Sequence, residues 1–220
     1  MIKSYFLLLL LFICSLLFSQ SQPNVPLYGF VGGFNKSGID AAHNPSAKKN
    51  SFYLGALVRI PLNQGEKLYL QPQIEYFEAG EIGPKNSYNP QKSIYANNYL
   101  NIPIYLKYYF NDNDETFFVF GGPKFAYLIN QKIKNPSQER YEEDKQGKAN
   151  PFDFSISGGL GYKFLRYFEV VSRLDYGLTD TYPKIDDSYF DPKAKRVNNQ
   201  VSGSIGISYL IPNHSCACSH

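Results

Sequence analysis

Tryptophan is absent from this 220-residue chain, and histidine and cysteine occur three times each. The shortage of histidine narrows the catalytic readings first. His43, His214 and His220 all fall outside the stretches that read as strands, so no imidazole sits on a rigid wall. A barrel lipase or acyltransferase would need a His with a Ser and a carboxylate near its outer rim. Only His43 has the position for that, with Ser46 or Ser51 nearby, and a His in a polar loop is usually just solvated. Cysteine is as thin. Cys14 lies in the N-terminal apolar run, leaving Cys216 and Cys218, which could pair with each other only in a strained ring. His214-x-Cys216-x-Cys218-x-His220 has the chemistry of metal ligands, but it lies in residues 212–220, which read as a loose periplasmic tail. No metal and no other cofactor is expected.

Long apolar runs are also missing after the N-terminus. No later stretch approaches about 18 consecutive apolar residues, which excludes a helical membrane span. Residues 1–21 read as a secretory signal: Lys3 is the positive region, residues 7–17 the apolar core, and cleavage follows Ser19 or Ser21. Removing Lys3 from the 22 basic residues leaves 21 against 19 acidic ones, a net of +2. That balance gives no reason to expect nucleic acid as a partner. Nor is there a phosphate-cradling glycine loop, since Gly158-Gly159-x-Gly161 lies inside a strand, where glycine eases packing or bending. Asp112-Asn113-Asp114-Glu115 lacks the Gly and distal Glu of an EF-hand and reads as a turn.

What the chain does have is aromatic residues, 19 Tyr and 17 Phe, and a strict period of two. In Phe152–Phe164, residues Phe152, Phe154, Ile156, Leu160, Tyr162 and Phe164 share one face, while Asp153, Ser155, Ser157, Gly159, Gly161 and Lys163 share the other. The same alternation runs through 168–180, 201–211, 100–110, 68–76 and 52–62, and two further strands, 27–34 and 117–129, are glycine-rich or apolar on both faces. Short turns at 63–66, 111–115 and 165–167 alternate with long polar segments at 36–50, 81–97, 130–150 and 181–198. This predicts an all-β fold, an eight-stranded antiparallel up-and-down transmembrane β-barrel spanning 22–211, with its short turns periplasmic and its long loops outside.

Alternation assigns Arg59, Glu75, Lys107, Lys124, Lys163, Glu169, Arg173 and Asp175 to the lumen. On the lipid face an Arg or Lys near the midplane would cost roughly 2–4 kcal/mol. An eight-stranded interior is just wide enough to be filled by side chains, so these charges are expected to pair as a structural network rather than line a channel. Glu75, Glu169 and Asp175 against Arg59, Lys107 and Arg173 is the expected pairing set.

Four segments resemble the PorT-type outer-membrane β-barrel family of Bacteroidota: Tyr99-Leu100-Asn101-Ile102-Pro103-Ile104-Tyr105-Leu106-Lys107-Tyr108-Tyr109-Phe110, Leu70-Gln71-Pro72-Gln73-Ile74-Glu75-Tyr76, Gly158-Gly159-Leu160-Gly161-Tyr162-Lys163-Phe164 and Arg173-Leu174-Asp175-Tyr176-Gly177-Leu178-Thr179. The resemblance implies an eight-stranded barrel without known catalytic residues, in a family whose founding member takes part in protein secretion and gliding. One departure is the chain end. Such barrels usually stop on an aromatic residue of the last strand, whereas here Ile211 is followed by the Cys- and His-bearing tail. The expected role is therefore non-enzymatic, structural or interactive. Its partners would be outer-membrane lipid and proteins met through loops 130–150 and 181–198, and a small porin-like channel or a rim-located lipid-modifying enzyme are the alternatives.

Overall fold

Side chains that alternate between apolar and polar commit a strand to two different surroundings, and a ring of such strands resolves both at once by closing. In the computed structural model, which describes residues 26–40, 47–62, 67–83, 91–136, 139, 142–185 and 198–212, eight antiparallel strands close into one barrel in sequence order. They are β1 (Leu27–Ile39), β2 (Ala47–Pro61), β3 (Leu68–Ile82), β4 (Ile94–Tyr109), β5 (Thr116–Lys134), β6 (Phe152–Phe164), β7 (Phe168–Gly177) and β8 (Gln200–Leu210). β1 seals the ring against β8 from Gly29↔Leu210 to Ile39↔Gln200. The signal segment 1–21, His43 with Ser46, and His214, Cys216, Cys218 and His220 of the tail lie outside the described residues.

The outward face is an apolar belt: Phe30, Leu54, Ile74, Leu106, Val119, Leu160, Leu174 and Ile207 are all exposed on it. Aromatic rings crowd both borders. At the short-turn end Phe117 meets Tyr162 at 4.8 Å and Phe168 meets Tyr209 at 4.9 Å, while at the long-loop end Phe52 meets Tyr76 at 5.8 Å. A membrane is the solvent such a belt fits, and aromatic girdles mark its two interfaces. Among the described residues no helix is long and apolar enough to cross a membrane, and crossing falls to the strands.

The wall is taller than alternation alone predicts. The first three long segments surrender residues to strands: β1 runs to Ile39, β2 starts at Ala47, β3 reaches Ile82, β4 starts at Ile94, and β5 takes 130–134 from the 130–150 loop. Polar residues such as Asn97 and Gln131 read as loop, yet they face inward there and hydrogen-bond inside the mouth. In the other direction β7 ends at Gly177, not at residue 180, because Thr179 accepts the Phe154 N–H through its hydroxyl at 3.1 Å and turns the chain out of the ladder.

Two irregularities shape the upper wall. β5 carries one extra residue, Ile129, between the Tyr99↔Leu128 and Asn98↔Asn130 pairs, which swaps the inward parity from Lys124 and Ala126 to Gln131. β2 likewise has one residue more than β3 between Lys48↔Glu81 and Tyr53↔Phe77. There β1 reaches across to mend the missing ladder: Asn35 Nδ2 donates to the Glu78 carbonyl at 2.9 Å, and the Ser37 hydroxyl donates to the Gly80 carbonyl at 3.1 Å while accepting its N–H at 3.0 Å. Gly80 has φ +136°, and a Cβ there would lie 1.9 Å from the Tyr95 carbonyl oxygen, so only glycine fits.

Candidate functional site

Every inward position of the barrel is a choice between an apolar filler and a polar group that must find a partner, since an unpaired buried charge costs several kcal/mol. Here the choice is largely polar, arranged in tiers from the short-turn end upward.

The lowest tier is organised by Glu169 of β7, which is fully buried. One carboxylate oxygen accepts from the Arg59 guanidinium and the Tyr109 hydroxyl. The other accepts from Lys107 Nζ at 2.6 Å and from the Ser208 hydroxyl at 2.8 Å. Aromatic faces cover the cations: Lys107 Nζ stands 3.8 Å from the Phe118 ring centre, and the Arg59 guanidinium 5.2 Å from that of Tyr109. Lys163 stands half-buried at the rim, its ammonium 5.3 Å from the Tyr109 ring.

The middle tier crosses the whole bore. Arg173 Nη1 donates to both Glu75 oxygens, at 2.9 and 3.1 Å, and to the Tyr105 hydroxyl oxygen at 3.0 Å. Its Nε lies 3.3 Å from Asp175, which also pairs with Lys124 at 2.9 Å and accepts from the Ser157 and Ser202 hydroxyls at 2.5 and 3.0 Å. Tyr53 lies under the guanidinium at 4.7 Å. Between these tiers the space left among Tyr53, Gln73, Tyr105, Lys107 and Phe118 amounts to about 10 Å³, room for a single water at most.

Above, Asp153 accepts from the Thr179 hydroxyl and from Ser155 at 3.3 Å. The mouth is then stoppered from the loops. Tyr182, fully buried, packs with Ile39 and Ala149, meets the Tyr95 ring at 6.5 Å, and accepts from Asn97 Nδ2 at 3.2 Å. Asn198 clasps it on both sides of its backbone, accepting its N–H at 2.6 Å and donating to its carbonyl at 2.9 Å. Burial, with the Glu81 charge adding to it, pushes the Tyr182 phenol well above its usual range, so it stays a neutral hydroxyl. Gln131 holds the other segment, donating to the Gly147 carbonyl at 2.6 Å and accepting the Ala149 N–H at 2.9 Å.

Seven of the eight charged residues assigned to the lumen by alternation thus lie in two ion-paired tiers, with Lys163 at the rim. Reading the sequence does not single out Tyr105, Tyr109, Ser157, Ser202 and Ser208, which complete the coordination of those charges. Their parity places them on the inward face, but which charge each one meets depends on a register between strands. Tyr182 and Asn198 carry no periodic signal at all.

A family model described as an outer membrane protein beta-barrel domain matches residues 18–182. No curated protein matches the chain in sequence. Among solved structures it is similar in form to Ail, the attachment invasion locus protein of Yersinia pestis, at 9% identity over 84% of this chain and 98% of that one, with a TM-score of 0.43. OprG from Pseudomonas aeruginosa is similar at 11% identity over 85% and 96%, with a TM-score of 0.45. The outer membrane enzyme PagL is similar at 12% identity over 85% and 100%, with a TM-score of 0.43. Likenesses this distant assign no task to the chain.

Proposed function

This chain belongs to the outer membrane protein beta-barrel domain family, and on that premise we propose that it is a sealed, non-enzymatic barrel acting through its outer segments rather than its bore. The observation that carries this reading is the Arg173–Glu75 strut with a cavity of only about 10 Å³ below it. A hydrated ion needs a continuous water-filled path, and the cavity below the strut has room for roughly one molecule. With export through the 1–21 signal and short turns inward, the long segments face outside. The anchoring of 147–150 by Gln131 and of 181–182 by Asn97 and Asn198 means those segments present a defined surface to partners. Those partners are outer-membrane lipid around the belt and protein at loops 130–150 and 181–198, not nucleic acid. The finer PorT-type assignment rests on the four segments quoted above, and a link to protein secretion rests on that resemblance alone.

Reconstitution of the purified protein in a planar bilayer tests the sealed bore. No current steps are expected. Steps that change when Arg59 and Arg173 are replaced by Gln would overturn the reading in favour of a small channel. Lipid turnover abolished by His43→Ala would overturn it in favour of a rim enzyme.

A further inference from the structure

A second concave feature lies on the outside of the wall, apart from the lumen. Register aligns Leu174, Gly203, Lys36 and Asn50 in one outward row across β7, β8, β1 and β2. Two depressions, of about 770 and 410 Å³, meet where Lys36, Leu174 and Gly203 come together. Both fall within the roughly 300–1,000 Å³ of small-ligand sites. Glycine makes the floor: a Cβ built on Gly203 would meet nothing nearer than Leu174 Cδ2, at 3.4 Å. Glycine also lets the second cation lean in. Lys48 lays its stem over Gly38, its Cγ 3.3 Å from where a Cβ would stand, and lines the same depression as Lys36.

The walls are apolar, with Phe34, Leu174 and Ile205 all exposed toward lipid. The long-loop end is cationic. Among the described residues no carboxylate pairs with Lys36 or Lys48: Glu78, which lines the larger depression, is taken by Lys49, and Asp175, which lines the smaller, is taken from inside by Lys124 and Arg173. An apolar trough ending in two ammonium groups at a membrane border matches one kind of molecule, an anionic lipid. We propose that this groove seats a phosphate-bearing lipid of the outer leaflet, with an acyl chain lying over Gly203 between Leu174 and Phe34 and the phosphate held by Lys36 and Lys48. The inference rests on the outer-membrane reading above, and it assigns the outer wall a site of its own.

Lys132 and Lys134 supply the internal control. They are exposed on β5, on the opposite side of the ring from β1. Full-length protein in detergent, titrated with diphosphorylated lipid A and read by native mass spectrometry, should retain one lipid, and phosphatidylcholine should not substitute for it. Lys36→Gln with Lys48→Gln should lower retention about tenfold, and the Arg pair at the same positions should restore it. Gly203→Leu should lower it as much with both lysines intact, and Gly203→Ala stands in should leucine prevent closure, which is read as the loss of the mobility difference between unboiled and boiled samples that a closed membrane barrel shows on SDS gels. Lys132→Gln with Lys134→Gln should leave it unchanged. Equal losses from the two lysine pairs, or full retention with the floor filled, would overturn the site. Displacement of the lipid by inorganic phosphate alone at equal concentration would also overturn it. A conducting barrel would sink the sealed-bore reading without altering any of these outcomes.

Discussion

Arg173 on β7 and Glu75 on β3 stand on opposite walls of the ring and join across its full width, Nη1 lying 2.9 and 3.1 Å from the two carboxylate oxygens. Ninety-eight residues separate them in the chain. Glu75→Gln leaves the buried guanidinium without the carboxylate that takes two of its contacts, and a loss of about 3–5 kcal/mol in folding stability is expected. Replacing both, as Glu75→Leu with Arg173→Met, should recover most of that loss, because no charge then remains to be solvated. Urea unfolding of the micelle-bound barrel measures both, and a single substitution without cost would show the strut to be dispensable.

Glu169 is the more heavily used carboxylate, taking Arg59, Lys107, Tyr109 and Ser208 together. Glu169→Gln therefore abandons two buried cations at once and should cost at least as much as Glu75→Gln, roughly 3–5 kcal/mol or more. Lys163→Gln, at the half-buried rim, should change stability by less than about 1 kcal/mol. The same unfolding experiment ranks the three, and a reversed order would contradict this picture of the lower tier.

Glycines in β6 make room for the rings that cover Lys107. A Cβ on Gly161 would lie 2.3 Å from Phe118 Cζ and 2.4 Å from the Val170 carbonyl oxygen, whereas one on the outward Gly158 would meet nothing within 3.7 Å. Gly161→Ala should sharply reduce the fraction of protein that reaches the heat-modifiable form on refolding. Gly158→Ala should refold like the wild type, and similar yields for both would refute the packing argument.

On the lipid face Ile207→Lys should destabilise by about 2–4 kcal/mol, the cost of a cation within the apolar belt. The already exposed Lys132, above that belt, should tolerate exchange for Ala within roughly 0.5 kcal/mol. Folding into vesicles at several urea concentrations separates them. Tolerance of Ile207→Lys would mean that this face does not meet hydrocarbon.

Tyr182→Ala empties the mouth of its stopper and should cost about 3–5 kcal/mol of local order, as for other buried aromatics cut to alanine. Limited proteolysis should then cleave between residues 178 and 199 much faster than in the wild type. The bore should stay silent in a planar bilayer, because the Arg173 tier still blocks it. Current through this variant alone would make Tyr182 the barrier instead.

The legible part of this molecule is whatever repeats every second residue. Phe152–Phe164 displays its two faces so plainly that strand, parity and surroundings follow from the letters alone. Ile129 shows where that stops: one extra residue reverses the parity of the rest of β5, and no local pattern announces it. The rim was hidden for a different reason. Asn97 and Gln131 are strand residues whose inward partners are polar, and a strand without an apolar face looks like a loop until the ring is closed around it. Contacts such as Asn97 with Tyr182, 85 residues apart, belong to the closed ring and not to either segment.

The strands differ greatly in length, from 19 residues in β5 to 10 in β7. At roughly 3.3 Å per residue and a tilt of about 40°, β5 climbs near 48 Å and β7 near 25 Å, the latter about the height of the apolar belt alone. The rim is therefore cut on a slant, and the barrel has a front and a back. A visitor moving in the membrane plane toward β4 and β5 runs into a hydrogen-bonded parapet. One arriving at β7 and β8 meets the short side of the wall and reaches the groove between Lys36 and Leu174 without climbing anything.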